Sequence, residues 1–130
     1  MKQTIMIVDS PNANGRIYPK EEIEKAIKVL QEPLLCTLGG NIDSSIDLSK
    51  VVGQITDVRF EGDKVVGTFR ALKTHSATIL EGMLSRMVEV SYSPVGFCNI
   101  GENGIISDYY LTSISIVLKG EGAWDNVEKI

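Results

Sequence analysis

Two residues of this chain, a serine and a histidine, could form the nucleophile and the base of a catalytic site. Ser91 lies in the stretch EVSYSPVGF, residues 89–97, and His75, the only histidine, lies in LKTHSATIL. A serine hydroxyl is a weak nucleophile at neutral pH and needs an adjacent base, for which histidine is the usual choice. Two interpretations follow: a nucleophile with its base, or a polar strand residue and an ordinary exposed histidine near a helix N-terminus.

The hydrophobic pattern places these two residues on different elements. Residues 74–87 carry apolar side chains at helical spacing, with Thr74 as the N-cap and with Met83 and Met87 expected to fill the core. Residues 88–100 predict a strand, in which a proline indicates a bulge or bend directly after Ser91. His75 can therefore serve Ser91 only if the start of the helix folds over that strand.

The remaining elements predict an α+β fold. Residues 19–31 form an amphipathic helix with Pro19 in its first position, and Pro33 with the pair Gly39 and Gly40 then opens a loop. The order β, α, β-hairpin, α, β-hairpin favours an α+β fold or a mostly-β barrel with helices packed on it, in one domain over residues 1–130. The predicted strands span 2–10, 51–60, 64–72, 88–100 and 105–118.

Composition and charge argue against several classes of function. The net charge of −4 and the scattered lysines argue against direct nucleic-acid binding, which needs clustered cations. No apolar run reaches membrane-spanning length and the N-terminus has no signal-peptide pattern, so we expect a protein of the cytoplasm or one assembled there, without membrane contact. Cys36 and Cys98 are isolated in sequence, which favours free thiols in a reducing compartment.

No metal or cofactor is expected from the sequence. The glycine clusters LGGN and GENG do not match a phosphate-binding loop and are typical of turns. The dispersed acidic residues have neither EF-hand nor two-metal spacing; they are Asp43, Asp47, Asp57 and Asp63.

The segment NANGRIYPKEEIEKAI, residues 12–27, resembles the N-terminal signature of the prohead (head-maturation) serine proteases of tailed phages. That signature reads Asn-x-Asn-x-Arg-x-Tyr-Pro followed by a helix. Further stretches resemble the family in the same order, so the resemblance covers nearly the whole chain. They are LGGNIDSSIDLSKVVGQITDV, FEGDKVVGTFRAL, MVEVSYSPVGF and SISIVLKGEGAW. The resemblance implies the fold of herpesvirus assemblins, a small β-barrel flanked by helices, and an activity that trims scaffold and coat proteins inside the immature capsid.

The same resemblance places Ser91 on the nucleophile but departs from the family at the other catalytic positions. The family's histidine stretch corresponds to residues 41–44, which read NIDS and contain no histidine. The Arg-Gly that follows the nucleophile, implied to support the oxyanion hole, aligns with Ser93 and Pro94, and the aspartate of the closing strand aligns with Ser115. Loss of the base alone costs about a million-fold in turnover in subtilisin. Asp43 is too weak a base to replace it unless burial raises its pKa strongly.

Two functions in a phage head are consistent with these residues. The first is a catalytically inert, prohead-protease-like structural or decoration protein that acts in capsid assembly and contacts capsid or scaffold proteins. The second is an active prohead serine protease, with His75 or another base close to Ser91. Either would be found in the virion or prohead, assembled in the host cytoplasm, and self-association into a homo-oligomer is compatible with both. A non-viral binding module or a fragment of a longer enzyme is the remaining alternative.

Several aromatic side chains could form a contact patch, although core packing is the commoner fate of such residues. They are Tyr92, Phe97, Tyr109, Tyr110 and Trp124.

Overall fold

The computed structural model describes residues 1–39 and 46–124, which form one mixed six-stranded sheet with two helices. The strand order is β1-β4-β3-β2-β6-β5; β2 and β6 run parallel, and the other neighbours are antiparallel. The sheet curls into a half-barrel, with β1 and β5 at its two edges. The strands are β1 Lys2–Ile7, β2 Leu34–Leu38, β3 Val51–Glu61, β4 Lys64–Ala71, β5 Val90–Ile100 and β6 Ile106–Leu118; the helices are α1 Lys20–Lys28 and α2 His75–Ser85. Short 3-10 turns span Leu48–Lys50 and Glu102–Gly104.

Strand β2 corrects the sequence prediction, which had a loop after Pro33. Its five residues, LLCTL, pair with β3 on one side and with β6 on the other, so the strand occupies the middle of the sheet. Leu34 and Cys36 are buried. A strand that is covered on both faces has no alternation of apolar and polar residues. Its short apolar run therefore cannot be distinguished by pattern from other buried segments.

Both predicted helices are present with shorter bounds. Pro19 is the N-cap of α1 and not its first helical residue, and the helix buries Ile23 and Ala26 on the side that packs against β6. Thr74 caps α2 as predicted, since its hydroxyl oxygen accepts a hydrogen bond from the amide of Ala77 at 3.1 Å. Of the described helices, none is long and apolar enough to cross a membrane.

The apolar stripe predicted for α2 is only partly buried. The helix packs on β3 through Ser76, Ala77 and Leu80, which are buried. Met87, expected in the core, is 87% exposed. It lies two residues beyond the last helical residue, at a positive φ of 63°, so the helical spacing no longer directs its side chain toward the sheet.

The position of β5 at the edge of the sheet explains why the strand tolerates a proline. The bulge that was predicted directly after Ser91 lies elsewhere in the strand. Pro94 lacks an N–H, and it is tolerated because β5 is an edge strand of the described sheet. The register shifts lie between Val95 and Gly96 and between Phe97 and Asn99, not directly after Ser91.

The core lies inside the curve of the sheet. The rings of Phe69 and Tyr92 meet across it, with centroids 5.2 Å apart. Ile55, Cys36 and Ile114 are fully buried beside them. Residues that oppose each other directly across a ladder share a face, so this apolar face fixes which way the alternate residues of β5 and β6 point.

Candidate active site

Ser91 lies near the start of the edge strand β5, directly opposite Val117 of β6. Ser93, two residues further along, lies opposite Ser115. On the far side of β6, Ser115 is the register partner of Thr37 on β2. Because side chains alternate along a strand, these residues share the face of the sheet that is opposite to the Tyr92 face. The sheet thus assembles a row of hydroxyl side chains next to the predicted nucleophile.

Most of this hydroxyl row is inaccessible to solvent. Ser113, two residues before Ser115 on the same face of β6, belongs to this row. Thr37, Ser113 and Ser115 are buried. Within residues 1–39 and 46–124, the hydroxyls of Ser113 and Ser115 have no hydrogen-bond partner, whereas that of Thr37 donates to the carbonyl oxygen of Gly39 at 3.4 Å. The position that the family resemblance assigns to an aspartate therefore carries a neutral, buried hydroxyl. The sequence indicated that substitution, but only the strand register shows that Ser93 faces it.

Ser91 borders a cleft of about 370 Å³ between the two edges of the sheet. Residues of β1 form one wall and residues 90–93 form the other, while Lys119 and residues 122–124 close one end. The charged side chains among the described lining residues are Lys2 and Lys119. Lys2 pairs with Glu61 at 2.8 Å, and Lys119 pairs with Glu89 at 3.4 Å. The cleft is therefore bordered by two strand edges, and both of its lysines are already ion-paired.

A second, more open depression of about 610 Å³ also includes Ser91. Its walls are mostly apolar, with Leu84, Met87 and Val90 among them. Glu89 is the carboxylate among its described lining residues, and its partner is Lys119. His75 is absent from the described residues that line either depression.

His75 lies on another part of the molecule. It is the first residue of α2, is exposed, and follows Thr74, whose hydroxyl donates to the carbonyl oxygen of Val51 on β3. Strands β2 and β6 separate β3 from the strand of Ser91, a distance of roughly 14 Å along the sheet. The structure therefore places His75 near β3 and Ser91 on β5, with two strands between them.

The stretch that corresponds to the family's histidine, residues 41–44, lies outside the described residues, and so does Asp43, which the sequence analysis considers too weak a base to replace that histidine. The residue Gly39, shortly before this stretch, lies against β6, because its amide donates a hydrogen bond to the carbonyl oxygen of Ile116 at 2.7 Å. Ile116 precedes Val117, the partner of Ser91.

The NANGR stretch, residues 12–16, consists largely of turn-forming residues, and it forms a turn in the structure. Asn12 is buried, and its side-chain oxygen accepts hydrogen bonds from the amides of Asn14 at 2.9 Å and Arg16 at 3.0 Å. The turn borders a cleft of about 530 Å³ on the other side of Ser93. A buried asparagine that bridges two amides is an Asx-type turn, for which the spacing of Asn and Gly was the available signal.

Aromatic rings anchor this turn to the sheet. Tyr18 contacts Tyr109 edge-on at 5.4 Å between centroids and Trp124 at 5.2 Å. Burial raises the pKa of both tyrosines, and the neighbouring Cys98 adds to the rise. Phe97 and Tyr110, in contrast, are exposed. The aromatic residues thus divide between the core and the surface.

No cluster of three or more metal-binding side chains occurs in the described part of the chain. Asp47 is used locally: it accepts bonds from the amide and hydroxyl of Ser49, which hold the pKa of its carboxyl below the usual value. Asp57 pairs with Arg59 at 2.8 Å. Cys36 and Cys98 are free thiols.

Comparison with known proteins identifies the fold. No family model matches the chain, and no curated protein matches it by sequence. A solved structure does match: the capsid assembly protease gp21 of bacteriophage T4, with a TM-score of 0.74 over 91% of this chain and 80% of that one. The fold is similar to that of a phage capsid assembly protease. The sequence identity is 22%, so the likeness concerns the fold. The predicted resemblance to the prohead proteases is confirmed at that level.

Proposed function

We propose that this chain is a protease-fold subunit of a tailed-phage head that has lost catalysis and acts in capsid assembly. It binds capsid or scaffold proteins and stays in the prohead and virion, assembled in the host cytoplasm, as a structural or decoration protein. The whole chain forms one domain of the assemblin type. The likeness to the T4 capsid assembly protease supports the setting, and the residues around Ser91 support the loss of chemistry.

The observation that carries this proposal is the pairing of Ser93 with Ser115 beside Ser91. In a serine-protease triad, a carboxylate fixes the histidine tautomer and stabilises the imidazolium; replacing it with a neutral amide in trypsin lowers turnover about ten-thousand-fold. Ser115 is neutral and buried, so it cannot stabilise an imidazolium in this way. Pro94 has no backbone N–H and cannot donate to an oxyanion.

The cleft beside Ser91 suits binding without cleavage. Two strand edges, β1 and β5, border it, and exposed edges recruit extended peptides through main-chain hydrogen bonds. A protein that keeps this cleft and loses the catalytic groups retains a way to hold scaffold or capsid segments. The function would then be peptide binding at this cleft, and the fold alone would not imply proteolysis.

A fluorophosphonate probe tests the loss of catalysis on the purified chain. An activated serine oxygen attacks the probe's phosphorus and fluoride leaves, which adds a fixed mass that intact-mass spectrometry detects. We expect the wild type to gain no more adduct than the Ser91→Ala variant across pH 6 to 9. Stoichiometric labelling that disappears in Ser91→Ala would overturn the proposal.

An active prohead serine protease, which cleaves scaffold and capsid proteins, is the second candidate. The position of Ser91 at a cleft of a protease fold favours it. If Ser91 reacts with the probe, His75→Gln identifies the base: loss of labelling assigns His75 to that role, and unchanged labelling excludes it.

A further inference from the structure

The cleft of about 530 Å³ beside Ser93 contains an arginine without a carboxylate partner. Arg16, at the end of the NANGR turn, lines this cleft and makes no ion pair within residues 1–39 and 46–124. Its backbone is fixed on both sides: its amide donates to the side-chain oxygen of Asn12 at 3.0 Å, and its carbonyl oxygen accepts from the amide of Asn12 at 2.8 Å. The turn therefore holds a half-buried cation at the cleft.

Two phenol hydroxyls accompany Arg16. Tyr109 lines the same cleft and is only 7% exposed; the carbon that bears its hydroxyl lies 3.1 Å from the position that a Cβ on Gly96, another lining residue, would occupy. Tyr18 also lines the cleft, and the guanidinium of Arg16 opposes the rise that burial causes in the pKa of this tyrosine, so the two groups are close. In the part of the chain that the structure describes, neither hydroxyl has a hydrogen-bond partner.

We propose that this cleft is a binding site for a carboxylate group, held by the guanidinium of Arg16 and by the hydroxyls of Tyr18 and Tyr109. The planar guanidinium matches the two oxygens of a carboxylate, and hydrogen bonds to a charged acceptor are stronger than neutral ones. A carboxylate would also provide the acceptor that the buried hydroxyl of Tyr109 lacks, which offsets the cost of its burial. Burial raises the pKa of both tyrosines, so both stay protonated and remain donors.

Glu121 is the charge that opposes a carboxylate in this cleft. It lines the cleft but is exposed, and within the described residues it makes no ion pair with Arg16. Solvent and salt screen an exposed charge more than a half-buried one, so the repulsion from Glu121 is weaker than the attraction to Arg16. We therefore expect Glu121→Gln to strengthen carboxylate binding.

The carboxylate has two possible sources, a small free acid and the chain end of a peptide. Ser93 and Ala123 line both this cleft and the cleft between β1 and β5, so the two clefts are contiguous. A peptide held between the strand edges could end here. That second source rests on the proposed function, whereas the first does not, and neither requires Ser91 to be reactive.

Cys98 allows the site to be tested by affinity labelling, because it lines the same cleft. Cys36 is fully buried and serves as the unreactive reference. Iodoacetate and iodoacetamide both alkylate a thiolate with loss of iodide, but only iodoacetate carries a carboxylate. The ratio of their rates cancels the thiolate fraction. We expect this ratio at Cys98, measured by peptide mass spectrometry, to exceed that of 2-mercaptoethanol by about tenfold.

Three variants separate a built site from a general attraction of anions. Arg16→Gln should lower the ratio to that of 2-mercaptoethanol, and Tyr109→Phe, which changes no charge, should lower it about threefold or more. Arg86→Gln is the matched control, since it removes the same charge from an exposed residue outside the cleft and should leave the ratio unchanged. Circular dichroism confirms folding; if Tyr109→Phe fails to fold, the two arginine variants still decide.

Protection of Cys98 from iodoacetamide identifies the source of the carboxylate. Protection by acetate supports a small free acid, and protection by an acetylated tripeptide, but not by its C-terminal amide, supports a chain end. The proposal is overturned if neither protects, if the wild-type ratio equals that of 2-mercaptoethanol, if Arg86→Gln acts like Arg16→Gln, or if folded Tyr109→Phe matches the wild type. Reaction of Ser91 with the fluorophosphonate probe would refute the proposed function and leave this test unaffected.

Discussion

Ser93 on β5 and Ser115 on β6 lie directly opposite each other, next to the predicted nucleophile. At the position of Ser93 the prohead-protease pattern has an arginine, which follows the nucleophile. At the position of Ser115 it has the aspartate of the closing strand. The strand register brings them together in this chain as two neutral hydroxyls, one of which is buried. Under the proposed function, these two hydroxyls stand at positions where the family pattern has ionisable side chains.

Ser115→Ala should stabilise the protein. Its buried hydroxyl has no hydrogen-bond partner among the described residues, so removing it relieves a desolvation cost and should raise the free energy of unfolding by about 1 kcal/mol. Urea denaturation measures the change. Ser76→Ala is the matched control with the opposite sign, because the Ser76 hydroxyl donates to the carbonyl oxygen of Ser49 at 2.7 Å. A Ser115→Ala variant that loses stability would mean that this hydroxyl is bonded.

Asn12→Ala should destabilise the NANGR turn by about 2 kcal/mol, since it removes the acceptor of two amide hydrogen bonds at a buried position. Thermal denaturation followed by circular dichroism measures it. Asn14→Ala is the control: Asn14 is exposed and its side chain makes no hydrogen bond within the described residues, so its unfolding temperature should stay close to that of the wild type. Equal effects of the two substitutions would disprove the role given to Asn12.

Two glycine substitutions should have opposite effects on stability. A Cβ on Gly96 would collide with the carbonyl oxygen of Tyr110 on the paired strand, so Gly96→Ala should cost about 2 kcal/mol or more. Gly82 lies inside α2 with nothing within 4 Å of its Cβ position, so Gly82→Ala should stabilise by roughly 1 kcal/mol through helix propensity. Chemical denaturation of both variants checks the pair. A neutral Gly96→Ala would contradict the close strand approach at the bulge.

Stability should fall steeply at alkaline pH. Burial raises the pKa of the Cys36 thiol to about 12, whereas the unfolded thiol ionises near its ordinary value. Between about pH 9 and 12 the unfolded chain therefore releases a proton that the native chain retains, and the free energy of unfolding decreases as the pH rises. The raised pKa of the buried Tyr109 acts in the same direction at still higher pH.

Urea midpoints at pH 8, 9 and 10 for the wild type and Cys36→Ala test this dependence. The variant should show a shallower decline, by at most about 1.4 kcal/mol per pH unit for the one proton removed. Parallel curves for the two proteins would show that the thiol is not the group responsible.

Much of the fold was predictable because its signals are local. Thr74 as an N-cap, the turn at Gly62 between β3 and β4, and the hairpin after Ile100 all follow from residue types within a few positions. Strand β2 was not predictable in this way, because its pairing with β3 and β6 is non-local and its short apolar run has no distinctive period. The exposure of Met87 depends on where α2 ends, which tertiary packing decides.

The candidate site was predictable in part. The sequence proposes Ser91 and the substituted positions as candidates, but the facing of Ser93 and Ser115 depends on strand register, which no local pattern specifies. The separate location of His75 follows from strand order, since β2 and β6 lie between β3 and β5. The turn at residues 12–16 follows from residue types, since Asn12, Asn14 and Gly15 are turn formers and Gly15 adopts a positive φ of 75°.

The most direct test of the account is the copy number of this protein in purified proheads and mature particles, measured by quantitative mass spectrometry against the major capsid protein. An inert structural subunit predicts the full-length chain in mature particles at a fixed ratio to the capsid protein. Presence in proheads with absence, or only fragments, in mature particles would contradict that role and favour an active maturation protease.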